Sequence, residues 1–380
     1  MVLLSGQEGQ MRMGVRVRIV LTFLILSMMP FFLSGCLLVY LVKSGYNQLK
    51  ILNDRVPIKK VLAEKNLPAK ERHKLKLALE ARRFAVSHLH LHATKDYTTF
   101  VDLHRPYVSW IVTVAYKNQL KQHFFWYPIV GDLPYKGFFN PKDAKAEAKK
   151  FESEGYDVMV GGVTAYSTLG WFEDPILSTM LNEPDYDLVN TIIHESTHAT
   201  IFIKSQAGFN ERLAVFVGDL GTKLFYKYKE GPHSKTLQEI RRENADDIRF
   251  SKFISKEIAR MKKWYKSHPH LRKGQRQAQF KKIKSDFTKM VKPKLQTATY
   301  AGFTHMKLNN AVLLYLGTYN YDLSDFAQLY KKLGDNFDRF IKTCKTFENS
   351  RNPTADLKKL ISTGAPNAKP SAKSRPSHSS

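Results

Sequence analysis

Apolar positions recur with helical spacing in some stretches of the chain and cluster as β-branched and aromatic runs in others. Between residues 49 and 93, Leu62, Leu67, Leu75, Leu77, Leu79, Phe84 and Val86 stand among Lys, Arg and Glu, with Pro57 and Pro68 as breaks. That pattern predicts two or three helices that buttress a core. From Tyr97 to Val130 two aromatic and β-branched runs, Tyr107 to Tyr116 and Phe124 to Val130, flank a polar turn at 117–122. They predict antiparallel strands, with Gly131-Asp132-Leu133-Pro134 closing the second. Pro141-Lys142-Asp143 opens a helix to about Glu154, and Tyr156 to Val163 reads as a short strand ending in Gly161-Gly162. Val189 to Thr200 is an apolar run without Pro or Gly, which fits a buried helix. A loop marked by Gln206, Gly208 and Asn210 follows, with Asn210 as N-cap and a second helix from Glu211.

From Tyr226 to about Lys294 apolar residues (Leu237, Ile240, Ile248, Phe253, Ile254, Ile258, Met261, Trp264) keep helical spacing within a Lys/Arg-rich background. One long helix, a break at His268-Pro269-His270 and a second helix to about Lys292 are expected, the charges decorating the solvated face of the hairpin. Phe326 to Lys345 reads as one amphipathic helix. After Asn349 the composition turns to Asn, Pro, Ser, Lys and Ala, too little apolar surface to offset chain entropy, so disorder is expected from 349 to 380. The fold class is α+β, mostly helical, with a small antiparallel or mixed sheet ahead of the 189–200 helix.

The N-terminus changes the picture. Arg12, Arg16 and Arg18 precede an almost unbroken apolar run from Ile19 to Val42, the plan of an export signal and long enough to span a bilayer. Leu33-Ser34-Gly35-Cys36 looks like a lipobox, which makes Cys36 the lipidation site. The alternative is an uncleaved anchor helix, supported by the apolar residues from Leu37 to Val42. In both cases the basic flank stays inside and the rest is exported. Residues 1–44 are therefore the signal or anchor, 45–348 one globular domain with the basic hairpin 227–294 inside it, and 349–380 a tail. With only Cys36 and Cys344 in the chain, a lipidated Cys36 leaves no intramolecular disulfide, and Cys344 reads as a buried small hydrophobe.

The net charge is +26, from 60 Lys and Arg against 34 Asp and Glu. Such charge suits nucleic acid, anionic lipid or an acidic envelope polymer. Export and the absence of a nucleic-acid motif argue against nucleic acid. The simplest reading is a lysine-rich solvated surface, with anionic lipid or an envelope polymer as the candidate partners.

Chemistry concentrates in His194-Glu195-Ser196-Thr197-His198. On a helix the two His project from one face a turn apart, so both can ligate one Zn²⁺, while Glu195 is rotated aside yet within reach of a water as general base. A catalytic zinc takes a third protein ligand. No His follows at the spacing of a three-His zinc protease, so a returning second helix makes Glu211 the better third ligand. A first-turn acid favoured by the helix dipole is the plainer alternative for Glu211. Asp219, eight residues on and on the same face, is either a partner of a ligand His or a solvated acid. His88, His90 and His92 alternate; a second metal site there is weighed against ordinary helix-end histidines.

His194-Glu195-x-x-His198 with Asn210-Glu211-x-x-Ala214 resembles the gluzincin metallopeptidases. The chain is more closely similar to a bacterial family of predicted aminopeptidases, zinc lipoproteins, through Tyr97–Asp102, Tyr127–Gly131, Pro134–Gly137, Gly161–Pro175, Leu177–Met180 and Leu308–Ala311. The resemblance implies a zincin-like fold, zinc at His194, His198 and Glu211, Glu195 as catalytic base, and a peptide substrate. It also implies a place in the bacterial cell envelope, membrane-anchored with the catalytic domain in the periplasm. In zinc peptidases of this type the strand before the metal helix is an edge strand that pairs with substrate, which nominates Gly161, Gly162 and Val163; a plain tight turn explains the glycines equally. Glu173 is placed to hold a substrate amino group, and Tyr166 and Tyr319 are candidates for stabilising the oxyanion. The rivals are a zinc endopeptidase and a non-catalytic zinc-binding envelope protein with a basic interaction arm.

Overall fold

The computed structural model describes residues 35–92, 94–127, 131–165, 172–272, 274–318 and 322–363. The chain divides into two compact units, Met1–Arg55 and Val56–Ser380. In the first, α1 spans Gly35–Asn53, and the expected lipidation site Cys36 is its second residue. No helix among the described residues is long and apolar enough to cross a membrane. Most of the apolar run from Ile19 lies outside the described residues.

The second unit is mostly helical with three small sheets among the described residues. It begins with β1 (Val56–Pro57), α2 (Ile58–Leu62) and α3 (Ala69–Ser87), followed by β2 (Thr99–Val101) and β3 (Ser109–Ala115). Then come β4 (Phe125–Tyr127), β5 (Gly131–Leu133), β6 (Lys136–Phe138), α4 (Pro141–Ser153), β7 (Asp157–Val163) and β8 (Ile176–Leu177). The helices α5 (Asp185–Thr200), α6 (Ala207–Glu230), α7 (Lys235–Ser267) and α8 (Gln275–Met290) follow. The chain closes through α9 (Asn310–Thr318), α10 (Ser324–Lys332), α11 (Phe337–Lys345) and α12 (Pro353–Thr363).

One sheet has the order β6-β3-β7, antiparallel throughout, with Ile111 opposite Gly161 and Ser109 opposite Val163. β3 is its buried centre: Ile111, Val112, Val114 and Ala115 are at most 5% exposed. A continuous apolar run is what a strand covered on both faces requires. α4 lies on β3 and β7 and buries Ala144, Ala148 and Phe151. Its start follows local chemistry: Asn140 accepts a hydrogen bond from the Lys142 amide at 2.8 Å, and Pro141 occupies the first turn. Among the described residues β7 is an edge strand, paired with β3 alone.

β4 pairs with β5; among the described residues the segment meets β3 at the bridge Ala115–Gln122, where Gln122 Nε2 also donates to the Val114 carbonyl at 3.1 Å. The stretch expected to close the second strand, Gly131–Leu133, is that partner; Gly131 has φ +74°, a conformation open to glycine, which lets the chain reverse there.

The basic region forms the expected hairpin, with its first helix starting later than expected. Gly231 (φ +85°) ends α6, and Ser234 caps α7 through the Leu237 amide at 2.9 Å. Phe250, Phe253, Ile254, Met261, Phe280, Ile283 and Phe287 form its core with Phe303 and Leu313. Each buried Phe contributes about 2–3 kcal/mol. The hairpin is clamped to the edge strand by buried polar groups. Asp157 at the start of β7 pairs with Arg276 and accepts from the Asn310 amide at 2.9 Å. The fully buried Asn310 accepts from the Tyr265 hydroxyl at 2.9 Å and donates to the Tyr116 carbonyl at 2.8 Å. Neighbouring Asn309 donates to the Val158 carbonyl at 2.9 Å. Every group in this node has a partner, which is the condition for burying it.

Two expectations for the C-terminal part are corrected. The single helix from Phe326 to Lys345 is two, α10 and α11, split at Gly334 and Asp335, both with positive φ, after which Asn336 caps α11 through the Arg339 amide at 2.9 Å. Residues 353–363, expected as the start of a disordered tail, form α12, because Leu357 is fully buried and the helix packs on α10. Residues 364–380 lie outside the described residues.

Candidate metal centre

α5 carries the H-E-x-x-H motif. Asp185 and Asp187 sit in its first turn, where the helix dipole favours acids. Leu188, Val189, Ile192 and Ile193, each at most 1% exposed, hold its other face in the core. Ser196 and Thr197 hydroxyls donate back to the carbonyls of Ile192 and Ile193 at 2.7 and 2.8 Å, so these short polar side chains need no external partner.

The chain then turns through 201–206 into α6. The structure corrects the expected start of this helix. α6 begins at Ala207, so Glu211 is its fifth residue and not a first-turn acid, and Asn210 is not a cap. Asn210 is buried, and its amide closes the turn: Nδ2 donates to the Ile203 carbonyl at 2.9 Å and Oδ1 accepts from the Ile203 amide at 3.1 Å. That reciprocal pair fixes how α6 returns along α5.

The return brings three donors together. His194 and His198 Nε2 are 3.2 Å apart, Glu211 Oε1 lies 3.4 Å from His198 Nε2, and Glu211 Oε2 lies 3.7 Å from His194 Nε2. A tetrahedral zinc with bonds of about 2.0–2.1 Å has ligand–ligand edges of about 3.3 Å. The observed spacing fits that donor set, and two imidazoles with one carboxylate could hold a divalent cation. Among the described residues these three form the one such cluster of at least three ligating side chains. The side chains of His194 and His198 are 18% and 11% exposed and Glu211 41%, so the site is open on the Glu211 side.

The electrostatics differ among the three donors. Burial and then the neighbouring His198 lower His194 to about 4, keeping it neutral at physiological pH. For His198, burial is outweighed by contact with and charge of Glu211 and by the charge of Glu195, and the net shift is upward. Contact with His198 holds the Glu211 carboxyl below its ordinary range against the opposing effect of burial. Glu195 is half-buried, with Oε2 enclosed by protein. Its charge also reaches Tyr97, a buried residue at φ +58° whose hydroxyl is pushed far up by burial, then by Glu195, Asp174 and Asp96.

Helix spacing depends on two glycines. A Cβ on Gly218 would lie 2.9 Å from Asn190 Oδ1 and 3.4 Å from His194 Cβ; one on Gly221 would lie 2.8 Å from Ile193 Cγ2 and 2.9 Å from Leu89 Cδ1. Their absence lets α5 and α6 approach closely enough for Glu211 to meet the imidazoles. Asp219 accepts from Asn190 Nδ2 at 2.9 Å, one turn before His194, and burial raises its carboxyl. It thus bonds α5 through Asn190.

Other expected residues fall elsewhere. Tyr166 and Tyr319 lie outside the described residues. Glu173 is exposed and 3.3 Å from Lys95 Nζ. His88 ends α3 and stacks on Phe84, His90 Nδ1 meets Asp338 at 2.7 Å, and the His92 amide donates to Thr200 Oγ1 at 2.8 Å, so these three do not converge. Cys344 is buried, and burial pushes its thiol up.

Gly161, Gly162 and Val163 end the edge strand, but Gly162 serves its own chain. A Cβ there would sit 2.5 Å from three ring carbons of Tyr107. The absence of a side chain at 162 accommodates that ring. Gly162→Ala is expected to expel Tyr107 and lower stability by about 1–3 kcal/mol, read from urea unfolding; an unchanged midpoint would contradict this packing.

Sequence reasoning missed Tyr97, Asn190, Gly218 and Gly221. The small residues at 218 and 221, three apart on α6, are a readable sign of close helix packing. Nothing in the sequence announces the contact of Tyr97 with the charge of Glu195. No curated protein and no solved structure matches the chain. A family model described as "Putative aminopeptidase" matches residues 39–359, and the chain belongs to that family.

Proposed function

We propose that the protein is a zinc-dependent aminopeptidase that acts on peptides outside the cytoplasm, held at the bacterial membrane by its N-terminal segment. One observation carries the reading: His194, His198 and Glu211 present three donor atoms at the spacing of one cation's ligands, with the charge of Glu195 near enough to act on His198. Zinc, when bound, supplies a Lewis acid that polarises the scissile carbonyl and makes water acidic enough to be deprotonated near neutral pH.

The remaining work falls to the chain's own side chains. His194 and His198 donate from neutral rings, and Glu211 contributes the one formal charge of the ligand set. Glu195 takes the proton of the attacking water and returns it to the leaving amine. The edge of β7 beyond Val158, whose carbonyl Asn309 occupies, would offer main-chain hydrogen bonds to an extended peptide, independent of its side chains. Glu173 is the candidate for the substrate ammonium, and Tyr166 and Tyr319 are the candidates for the oxyanion. The N-terminal location rests on the basic flank, the apolar run and Leu33-Ser34-Gly35-Cys36.

Two measurements test this. Peptides with a free amino end are expected to lose their first residue, and the same peptides with a blocked amino end are expected to be inert; internal cleavage of both would make it an endopeptidase. Zinc affinity is expected to fall as pH falls. The folded-state pKa of His198 is raised, so its ring protonates early and competes with metal, weakening binding about tenfold per pH unit below that pKa. A flat affinity across neutrality would remove His198 from the ligand set.

A further inference from the structure

The charge on α7 is not distributed as a solvated helix normally distributes it. From Lys252 to Ser267 its exposed positions are Lys252, Lys256, Lys262, Lys263 and Lys266, with two serines and one alanine among them. At 100° per residue they share one face, about 140° wide and about 24 Å long. Phe253, Ile254, Met261 and Tyr265 occupy the opposite face, in the core. The one acid in this stretch, Glu257, is buried and bound to Arg260 at 2.7 Å. None of the five lysines makes an ion pair among the described residues. The contrast with α4 is direct: there the exposed lysines are interspersed with the half-buried Asp143 and Glu147 and the exposed Glu152. Like charges at i, i+4, such as Lys252–Lys256 and Lys262–Lys266, repel and weaken the isolated helix. Solubility alone needs charge, but not charge of one sign.

We propose that this face docks on an anionic lipid bilayer. Every cation on it is Lys, a compact charge on a flexible stem, suited to a diffuse anionic surface rather than to forked recognition of one phosphate. The face is a convex helix without an exposed aromatic, whereas single-stranded nucleic acid is held in grooves with stacking rings. It is also rigidly mounted, because Asp157–Arg276 and Asn310 clamp the hairpin to the sheet. A bilayer is the anionic partner that the N-terminal apolar run would bring within reach, and one chain anchor gains most from a polybasic second contact. The inference rests on the proposed membrane attachment and not on the catalytic reading.

The test uses the full chain in vesicles of phosphatidylcholine alone and in vesicles with about one third phosphatidylglycerol. Lysine acetylation is read residue by residue by mass spectrometry. Neutral vesicles report the anchor alone. In anionic vesicles Lys252, Lys256, Lys262, Lys263 and Lys266 are expected to react about fivefold more slowly, Lys142 and Lys145 on α4 at unchanged rates, and the difference to vanish in about 1 M salt. A triple substitution, Lys252→Glu, Lys256→Glu and Lys263→Glu, is expected to keep peptide turnover and lose the protection at Lys262 and Lys266. Equal reactivity in the two vesicle types overturns the proposal. So does protection by soluble polyphosphate without protection by anionic vesicles, which would assign the face to a linear polyanion.

Discussion

Glu195→Gln is expected to lower peptide turnover by about 10³-fold, some 4 kcal/mol of barrier, while zinc remains bound in full. The amide keeps the size of the carboxylate but cannot accept a proton from water or hand one to the leaving amine. The donors that converge are His194, His198 and Glu211, while Glu195 stands near enough for its charge to act on His198. The substitution removes the charge of a half-buried carboxylate without creating a cavity, so the unfolding midpoint is expected to stay close to native or to rise. Full activity in the metal-loaded variant would take Glu195 out of the mechanism.

Glu211→Gln acts on the other half of the account. It removes the one formal charge from a site of two neutral imidazoles, and an amide oxygen is the weaker ligand. Changes to groups that merely support a metal ligand cost about 10–100-fold in affinity, so loss of a ligand charge is expected to exceed about 100-fold. Turnover is expected to fall in step and to recover in part at high zinc, which separates it from Glu195→Gln, where added zinc restores nothing. The fold is expected to persist, because α5 and α6 are held together by buried apolar residues, Gly218, Gly221 and the Asn190–Asp219 bond rather than by Glu211.

Much of this was legible in the residues. The H-E-x-x-H spacing places two rings on one face whenever the segment is helical, and the apolar residues around it leave little alternative. α4, β7 and the α7–α8 break were readable for the same reason: Pro, Gly and capping residues stand where the periodicity changes. The failures share a cause. Asn210 looked like a cap because Asn caps helices, but its amide closes a turn through Ile203, a contact that only the folded chain creates. The missing side chain at Gly162 makes room for the Tyr107 ring, and a ring arriving from so far along the chain leaves no local trace. The β4–β5 pairing and the burial of Leu357 are likewise decided by long-range packing. Local chemistry marks where elements begin and end; it does not say which side chain will fill a gap.

The central claim is that His194, His198 and Glu211 together bind one catalytic zinc. The most direct measurement is a calorimetric zinc titration of the chelator-stripped protein, with peptide turnover followed at each addition. One equivalent is expected to bind, activity rising in proportion and reaching its plateau at that equivalent. Absence of saturable binding, or full turnover in the stripped protein, would contradict the account.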